Sequence, residues 1–297
     1  MVSPGILLVD KPGGLTSHDV VARVRRAVGT RKVGHAGTLD PMATGLLVIG
    51  IEGATRLLTY IVGADKTYTA TIRLGARTTT DDAEGDVVDT ADAAAWAHVD
   101  GAAVRAGILE LTGAISQVPS SVSAIKVAGR RAYDLVRSGE SVELAARRVT
   151  VSRFEVTAER RGDGHLDLDV VVDCSSGTYI RALARDLGDA LGVGGHLTAL
   201  RRTRVGGFDV AGAVGVDGLA GAAVLTPAAA AAHVMPVLPL TAEEARDLRH
   251  GKRLAGQRER LVATEVAGID PDGALVGVLE ARGRDVKSAM NMPEVQA

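Results

Sequence analysis

Residues 34–51, GHAGTLDPMATGLLVIGI, join a glycine-rich loop to a short apolar run. The glycines and the pair Asp40-Pro41 predict a loop over residues 30–45, and residues 46–51 are predicted as a buried strand. Glycine permits positive φ or a close backbone approach to a ligand, and Pro41 biases Asp40 toward an extended conformation. A carboxylate held out of such a loop can act as a covalent nucleophile. An Asx-turn or capping role for Asp40 fits the same pattern, and loop chemistry alone does not choose.

Helical and alternating patterns flank this loop. The apolar spacing of Ser17–Gly29 predicts an amphipathic helix that ends at a glycine, with Ser17 as its expected N-cap. Lys66–Leu74 alternates, which predicts a strand with Tyr68 on its apolar face. Two further strands are predicted as a pair joined by a glycine turn: Val149–Val156 and His165–Asp173.

A second helix is predicted over Thr178–Leu191. Its spacing places Arg181 and Arg185 together on one side, where two like charges require an anionic neighbour. Spacing alone also allows Arg181 to be an ordinary surface arginine. The segment Asp81–Asp100 has seven acidic residues and no lysine or arginine, which predicts a solvated segment that leads into a helix through Leu111.

The composition limits the classes of function. A length of 297 residues is that of two domains. The 34 basic and 36 acidic side chains give a formal net charge of −2, which by itself does not indicate a polyanionic partner. The one cysteine, Cys174, excludes an internal disulfide and any metal site built on two thiolates. The sequence contains no phosphate-binding or dinucleotide-binding glycine motif, no paired metal-binding histidines and no serine-hydrolase motif.

No targeting or membrane segment is expected. The apolar stretch Gly5–Val9 has no basic residue before it and runs directly into Asp10 and Lys11. The stretch Ala220–Leu240 is interrupted by prolines, a threonine and a histidine, so it is not a spanning helix. We therefore expect a soluble protein of the cytoplasm.

The order of the predicted elements favours an α+β fold. Strands and helices do not alternate steadily, which argues against a doubly wound parallel sheet. The Ala- and Gly-rich residues 211–232 are expected to form the passage between a catalytic domain, residues 1–220, and a smaller domain, residues 221–297. The smaller domain has three predicted elements, one helix and two strands: Thr241–His250, Leu261–Gly268 and Ala274–Glu280.

Four motifs, in order along the chain, resemble the tRNA pseudouridine synthase B (TruB) family. They are KPGGLTS from Lys11, GHAGTLDPMATGLL from Gly34, DKTYTATIRLG from Asp65 and CSSGTYIRALARDLG from Cys174. The resemblance extends from about Gly5 to Gly207, includes the segment SAIK at residues 123–126, and continues more weakly into a tail that resembles a PUA domain. It implies a catalytic domain with a mixed, largely antiparallel sheet, followed by a small β-rich PUA-like domain.

The resemblance implies that the chain isomerises uridine 55 in the T loop of tRNA to pseudouridine, by base flipping and without a cofactor or metal. The family's catalytic aspartate corresponds to Asp40, which would attack C1′ or C6 or assist a glycal route, and the residues do not choose among the three. Arg181 would keep that carboxylate ionised. Tyr68 would stack on the uracil and take part in proton transfer, although the strand pattern equally allows a core tyrosine.

Five further residues are implied in binding RNA. Leu200 would line the uracil pocket, and His35 would fill the space left by the flipped base. Lys11 would support the catalytic loop or contact RNA, Lys126 lies in a segment that grips RNA, and Tyr179 belongs to the shell around the base pocket. The residue patterns also allow a buried leucine, a backbone-bonded loop histidine and a solvated lysine at positions 200, 35 and 11.

Local charge favours an RNA partner where the net charge does not. Residues 120–160 contain eight basic and five acidic side chains, and residues 246–260 contain six and two, although each run is also compatible with a solvated face. The expected partner is tRNA, bound at its T arm and through the C-terminal domain at its acceptor end. A monomer without a guide RNA or partner protein is expected. Two other hypotheses stay open: an RNA-binding or tRNA-folding module with a vestigial loop, and a guide-RNA-dependent synthase.

Overall fold

The chain forms two compact units, each assembled from separate stretches of sequence. The computed structural model describes residues 2–120, 126–127, 130–131 and 144–293, with backbone only for residues 126–127 and 130–131. The motif residues 123–125 and the side chain of Lys126 therefore lie outside the described part. The first unit comprises residues 1–39, 46–64 and 205–297, and the second comprises residues 40–45 and 65–204.

Eighteen strands lie within the described residues. They are β1 (Gly5–Lys11), β2 (Val33–His35), β3 (Thr44–Ile51), β4 (Lys66–Leu74), β5 (Ala76–Thr78), β6 (Val87–Thr90), β7 (Gly113–Gln117), β8 (Lys126–Val127), β9 (Arg130–Arg131), β10 (Arg147–Gly162), β11 (His165–Cys174), β12 (Gly195–Val205), β13 (Phe208–Asp209), β14 (Val214–Gly215), β15 (Val237–Pro239), β16 (Val266–Ile269), β17 (Leu275–Arg282) and β18 (Asp285–Asn291).

Helices occur in both units. The α-helices are α1 (Ser17–Val28), α2 (Leu58–Gly63), α3 (Gly101–Glu110), α4 (Ile180–Ala190), α5 (Pro227–Ala232) and α6 (Ala242–Arg249). Short 3₁₀ helices cover Glu52–Leu57, Ala95–His98, Val210–Gly212 and Arg258–Arg260. Within the described ranges, no helix is long and apolar enough to cross a lipid bilayer.

The first unit contains two sheets. In one, β1 lies between β14 and β3, and β2 pairs antiparallel with β3. The apolar face of α1 packs on this sheet, with Val20 and Val24 against Leu7 and Leu47. The other sheet has the order β15-β16-β17-β18 and packs with α6 around its own apolar cluster. The C-terminal part of the chain is therefore small and β-rich, as the sequence predicts.

The start of α1 corrects one expectation. Thr16, not Ser17, is the N-cap, because Thr16 and Asp19 form a reciprocal capping box. Ser17 is instead buried, and its hydroxyl accepts a hydrogen bond from the Leu39 amide at 2.9 Å and donates to the Leu39 carbonyl at 3.2 Å. This helix start thus fixes the backbone of the residue that precedes Asp40.

The second unit is built on a largely antiparallel sheet. Its strands follow the order β12-β4-β11-β10-β7, and the β4–β11, β11–β10 and β10–β7 pairs are antiparallel. The first two residues of β3, which belong to this unit, run parallel to Arg201–Arg202 of β12. Helix α4 packs against α3 and β4. The α+β class with a largely antiparallel sheet is confirmed.

The alternation of β4 is confirmed residue by residue. Tyr68 and every second residue after it to Leu74 are buried, whereas the intervening residues are not. Helix α4 lies within the predicted Thr178–Leu191, and the predicted strand pair is the β10–β11 hairpin. Period-2 and period-3.6 patterns indicate buried faces correctly here because these elements each cover one core.

Two sequence-based expectations are wrong where tertiary partners intervene. The acidic segment is not solvated at its start, because Asp82 is buried and contacts an arginine of α4. The passage expected over residues 211–232 contains α5, whose Ala230 and Ala231 are fully buried in the core of the first unit. The boundary at residue 220 stays a prediction.

Candidate active site

The glycine-rich loop and helix α4 bring Asp40 and Arg181 together in the second unit. Arg181 Nε lies 3.0 Å from Asp40 Oδ2, and Nη2 donates to Oδ1 at 3.2 Å. The arginine side chain is 4% exposed and that of Asp40 is 34% exposed. The guanidinium is therefore buried, while the carboxylate stays open to a ligand. The surface position allowed for Arg181 by its spacing is excluded.

A second carboxylate, that of Asp82, also contacts Arg181. Asp82, whose side chain is 2% exposed, places Oδ2 3.3 Å from Arg181 Nη1. The same nitrogen donates to the Thr80 carbonyl at 2.8 Å and to Ser120 Oγ at 3.4 Å. A buried guanidinium requires this many acceptors because desolvation otherwise outweighs its attraction to one carboxylate. The anionic neighbour required by the α4 arginines is thus present.

The loop that carries Asp40 packs closely against β12. Gly45 has φ of +99°, and a Cβ atom there would lie 2.2 Å from the carbonyl oxygen of Arg202. Only glycine fits this close approach with positive φ. The Ala43 amide donates to the Asp40 carbonyl at 3.1 Å, which tightens the turn between the aspartate and β3. The predicted need for glycine in this loop is met at Gly45.

Tyr68 lies on the buried face of β4, opposite Val172 of β11. The charges of Arg202 and Asp40 both act on its phenol. Burial raises the pKa of the Tyr68 phenol, with Arg202 acting in the opposite direction. The side chain therefore carries its proton at neutral pH. The core and site interpretations of Tyr68 are compatible, because the ring is buried beside a charged group.

Two buried cations accompany Tyr68. Lys66 shares its strand face and lies opposite Cys174 of β11, and Arg202 extends from β12. Burial, followed by the neighbouring Arg202 charge, lowers the pKa of the Lys66 ammonium to about 8. Sequence reasoning missed both residues. The alternation of the strands could have indicated both residues. Lys66 lies two positions before Tyr68, and Arg202 lies two positions after Leu200, so each shares a strand face with a predicted site residue.

Leu200 is buried on β12, two residues before Arg202. Its carbonyl accepts a long hydrogen bond, 3.5 Å, from the Thr44 hydroxyl of the glycine-rich loop. The strand thus carries an apolar side chain and a cation on the same face. A pocket-lining role for Leu200 stays a prediction.

Tyr179 is held through its backbone at the start of α4. The Gln117 side chain accepts from the Tyr179 amide at 2.8 Å and donates to its carbonyl at 3.0 Å. Gln117 is buried on β7 and is a further residue that sequence reasoning missed. These two bonds fix the residue from which α4 begins, two positions before Arg181. The structure thus gives Tyr179 a supporting place, and its substrate contact stays a prediction.

Lys11 and His35 belong to the first unit. Lys11 is fully buried, and its ammonium donates to the carbonyls of Pro12 and Leu15 at 3.0 and 2.6 Å, so it is not a solvated lysine. His35 ends strand β2 rather than lying in an irregular loop, and its ring meets His18 edge-on with centroids 5.5 Å apart. RNA contacts by either residue stay predictions.

Among the residues that the structure describes, no group of three or more His, Cys, Asp or Glu side chains is arranged to hold a metal ion. What the second unit presents instead is a half-exposed carboxylate on a buried guanidinium, beside a buried tyrosine. Such a set can supply an anionic nucleophile and a neutral proton carrier.

Three family models together match residues 25–293. They are "TruB family pseudouridylate synthase (N terminal domain)" over residues 25–180, "tRNA pseudouridylate synthase B C-terminal domain" over residues 181–239, and "tRNA Pseudouridine synthase II, C terminal" over residues 235–293.

Curated relatives match nearly the full chain. The chain is 60% identical to tRNA pseudouridine synthase B of Leifsonia xyli subsp. xyli (strain CTCB07), with 99% of this chain and 98% of the relative covered. It is 58% identical to tRNA pseudouridine synthase B of Arthrobacter sp. (strain FB24), with 96% and 95% covered.

Solved structures share the fold. The chain is similar to one in the crystal structure of a Cbf5–Nop10–Gar1 complex, at 26% identity and a TM-score of 0.70, covering 98% of this chain and 84% of that one. A chain of the archaeal box H/ACA sRNP Nop10–Cbf5 complex matches at 25% identity and a TM-score of 0.70, covering 99% and 90%.

Proposed function

Because the chain belongs to the TruB family of pseudouridylate synthases, we propose that it converts uridine 55 in the T loop of tRNA to pseudouridine. The observation that carries the proposal is the two-point contact of Asp40 with the buried Arg181. Both residues occupy the motif positions that correspond to the family's aspartate and arginine.

The reaction is an isomerisation in which no atom is gained or lost. The N1–C1′ bond breaks, the uracil turns, a C5–C1′ bond forms, C5 loses its proton and N1 gains one. Asp40 is the group proposed to start it, by attack on C1′, by attack on C6 or by assisting a glycal route. All three routes need an ionised carboxylate, which the Arg181 guanidinium favours.

Asp82 has a separate role in the proposed reaction, which is to balance the charge of Arg181. When Asp40 forms a bond to the substrate, its negative charge is lost, and Arg181 would remain as an unbalanced buried cation. Asp82, 3.3 Å from Arg181 Nη1, balances that charge throughout. The second carboxylate thereby lowers the cost of using the first.

Tyr68 and Leu200 are proposed to form the base pocket. The target uridine must leave the RNA stack before its sugar or C5 can be reached, at a cost of about a few kcal/mol. Stacking on the Tyr68 ring and apolar contact with Leu200 would offset this cost. Because Tyr68 is a neutral phenol at neutral pH, it can exchange a proton with the base during the reaction.

The substrate class follows from the relatives. Curated relatives at 58–60% identity are named tRNA pseudouridine synthase B, so we place this chain with enzymes that act on tRNA directly. We propose a cytoplasmic monomer that binds the T arm through the catalytic domain and the acceptor end through the PUA-like domain. It would need no guide RNA, partner protein, cofactor or metal.

The test is tritium release from T-arm RNA labelled at uridine C5. The purified chain alone is expected to release tritium and to yield pseudouridine at position 55. Asp40→Asn keeps the side-chain shape but removes the charge, and should abolish release. Release by Asp40→Asn at the wild-type rate would contradict the role of this aspartate.

A matched control removes an equivalent charge elsewhere in the second unit. Asp167 accepts two hydrogen bonds from Arg73, both at 2.7 Å, on the β4–β11 pair. Asp167→Asn should leave the rate of tritium release unchanged, although it lowers thermal stability. Activity that appears only after a guide RNA is added would replace the proposal by a guide-dependent enzyme.

A further inference from the structure

We propose that Arg185 and Asp81 form a positioning ion pair that orients Arg181 toward Asp40. This inference rests on the proposed function, because it concerns the same reaction. Arg185 Nη1 lies 3.3 Å from Asp81 Oδ2, and the two side chains are 21% and 16% exposed. Neither residue touches Asp40, so any effect on the reaction must pass through their neighbours.

Two arginines of α4 bind consecutive residues of one turn. Arg181 and Arg185 are four positions apart, so they project from the same side of the helix. Arg181 binds the carbonyl of Thr80 and the carboxylate of Asp82, and Arg185 binds the carboxylate of Asp81 between them. A displacement of the turn along α4 would therefore break contacts of both arginines together.

The backbone at Asp81 needs external support. Its φ is +60°, in the left-handed region that is unfavourable for residues other than glycine. The Leu197 amide donates to the Asp81 carbonyl at 3.0 Å, which fixes one side of the residue. The ion pair with Arg185 fixes the side chain. Together they hold a conformation in which Asp82 points to Arg181.

Arg185 also holds the second segment that contacts Arg181. Its Nη2 donates to the Val118 carbonyl at 2.7 Å, and Ser120, two residues later, donates to the Thr80 carbonyl at 3.2 Å and accepts from Arg181. Asp186 anchors the Arg185 guanidinium further, with Nε donating to Oδ1 at 2.9 Å. The side of α4 that carries Arg181 and Arg185 thus contacts both segments that surround the buried guanidinium.

The expected effect is on the chemical step. Loss of the pair would let the turn shift against α4 and change the direction of the Arg181–Asp40 contacts. A small misplacement of a reacting group can lower a rate by about 10–100-fold. Neither residue of the pair belongs to the basic runs at residues 120–160 and 246–260, so KM is expected to stay within about twofold of the wild-type value.

The experiment compares Arg185→Gln, Asp81→Asn and the double variant in steady-state tritium release, which yields kcat and KM. Asparagine tolerates positive φ, so Asp81→Asn tests the charge and not the backbone. Each single variant is expected to lower kcat about tenfold, and the double variant should be no slower than either, because the pair acts as one unit. Arg185→Lys keeps the charge and should recover part of the loss.

Arg73→Gln is the matched control. It breaks a bidentate ion pair on β4 and should lower stability without changing kcat. Unchanged kcat in Arg185→Gln and Asp81→Asn, or additive losses in the double variant, would overturn the inference. A uniform loss of thermal stability without loss of kcat would show a merely structural pair and also overturn it.

The Arg181 Nε–H resonance gives a readout that does not depend on activity. This group faces Asp40 Oδ2 at 3.0 Å, so a change in direction should move its chemical shift. A shift in Asp81→Asn and Arg185→Gln, but not in Arg73→Gln, is expected. If the wild type released no tritium, the proposed function would fail, while this shift would still decide the positioning role; an unmoved resonance contradicts it.

Discussion

Two buried cations, Lys66 and Arg202, flank Tyr68 in the second unit. Like charges in a buried place are unfavourable, and the structure reveals the result at Lys66, where burial and then the Arg202 charge lower the pKa to about 8. The ordinary value is 10.5. In the unfolded chain Lys66 therefore keeps its proton to higher pH than in the folded chain.

This difference predicts a pH-dependent stability. Between pH 8 and 10.5 the unfolded state binds more protons at this site than the folded state, so the free energy of unfolding rises with pH there. Below pH 8 the full cost of the buried charge is present. Lys66→Met should therefore be more stable than the wild type at pH 7, on the order of 3 kcal/mol, and this advantage should vanish toward pH 10.5. Urea denaturation across this range measures it.

Lys32→Met is the control, because Lys32 is 77% exposed beside Glu52. At pH 7 this variant should differ little from the wild type in its free energy of unfolding, because the charge it removes is exposed to solvent. A constant difference for Lys66→Met at all pH values would show that the effect is one of packing and not of charge.

At the scale of elements, the contact between the glycine-rich loop and β12 requires a glycine at position 45. Gly45→Ala would place a methyl group 2.2 Å from the Arg202 carbonyl at φ of +99°, and should cost about 3–5 kcal/mol of unfolding free energy. The loop would move away from β12, so kcat should fall as well. Chemical denaturation and single-turnover kinetics measure the two effects.

Gly164→Ala measures the cost of a positive φ alone, without a steric contact of the added methyl group. Gly164 also has positive φ, +68°, but nothing lies within 4 Å of its would-be Cβ in the β10–β11 turn. This variant should lose only about 1–2 kcal/mol and keep its kcat. Equal losses in the two variants would contradict the importance of the close approach.

The elements that sequence predicts well are those with one buried face. Strand β4 and helix α4 are examples, because the periodicity of each follows directly from the core it covers. Asp40 and Arg181 needed the family resemblance, because each side chain alone fits a turn or a surface helix. The fold brings them together from positions 141 residues apart.

The residues that sequence reasoning missed depend on partners distant in the chain. Asp82 lies in an acidic run that looks solvated, and only the buried guanidinium of Arg181 makes its burial favourable. Ala230 lies in a stretch that resembles a linker, yet small side chains are what close packing in a core permits. The local composition does not indicate that Asp82 contacts Arg181 or that Ala230 packs in a core.

At the scale of the whole molecule, the first unit joins both ends of the chain. One apolar cluster includes Ile6 and Leu46 together with Ala231, Val278 and Met292. A chain ending at residue 220 would lose the last three and their neighbours, so we expect it to lack a cooperative thermal transition in near-ultraviolet circular dichroism. Cooperative unfolding close to the wild-type temperature would instead support two independent domains, with the boundary at residue 220.

The two basic runs, residues 120–160 and 246–260, differ in the ion pairs that their described side chains form. In residues 246–260, five of the six lysines and arginines lie within 4.0 Å of a carboxylate: Arg246, Arg249, Lys252, Arg253 and Arg260. Such paired cations have less charge left to neutralise phosphates. Arg147 and Arg148 are exposed at the start of β10, and neither forms an ion pair with another residue in the described part of the chain. The two runs are therefore expected to contribute unequally to RNA binding.

The salt dependence of tRNA affinity tests this inequality. Replacing Arg147 and Arg148 by glutamine should weaken binding and lower the slope of log affinity against log salt by about 2, since each phosphate contact contributes roughly 1. Replacing Arg246 and Lys252 by glutamine changes the net charge equally, but should change the slope by less than about 1. Filter binding of unmodified tRNA, from about 50 to about 300 mM salt, measures the slopes of both double variants. Counterion release governs the salt dependence of affinity in this range. Equal slopes for the two double variants would mean that net charge, and not the placement of the exposed arginines on β10, governs the encounter with RNA.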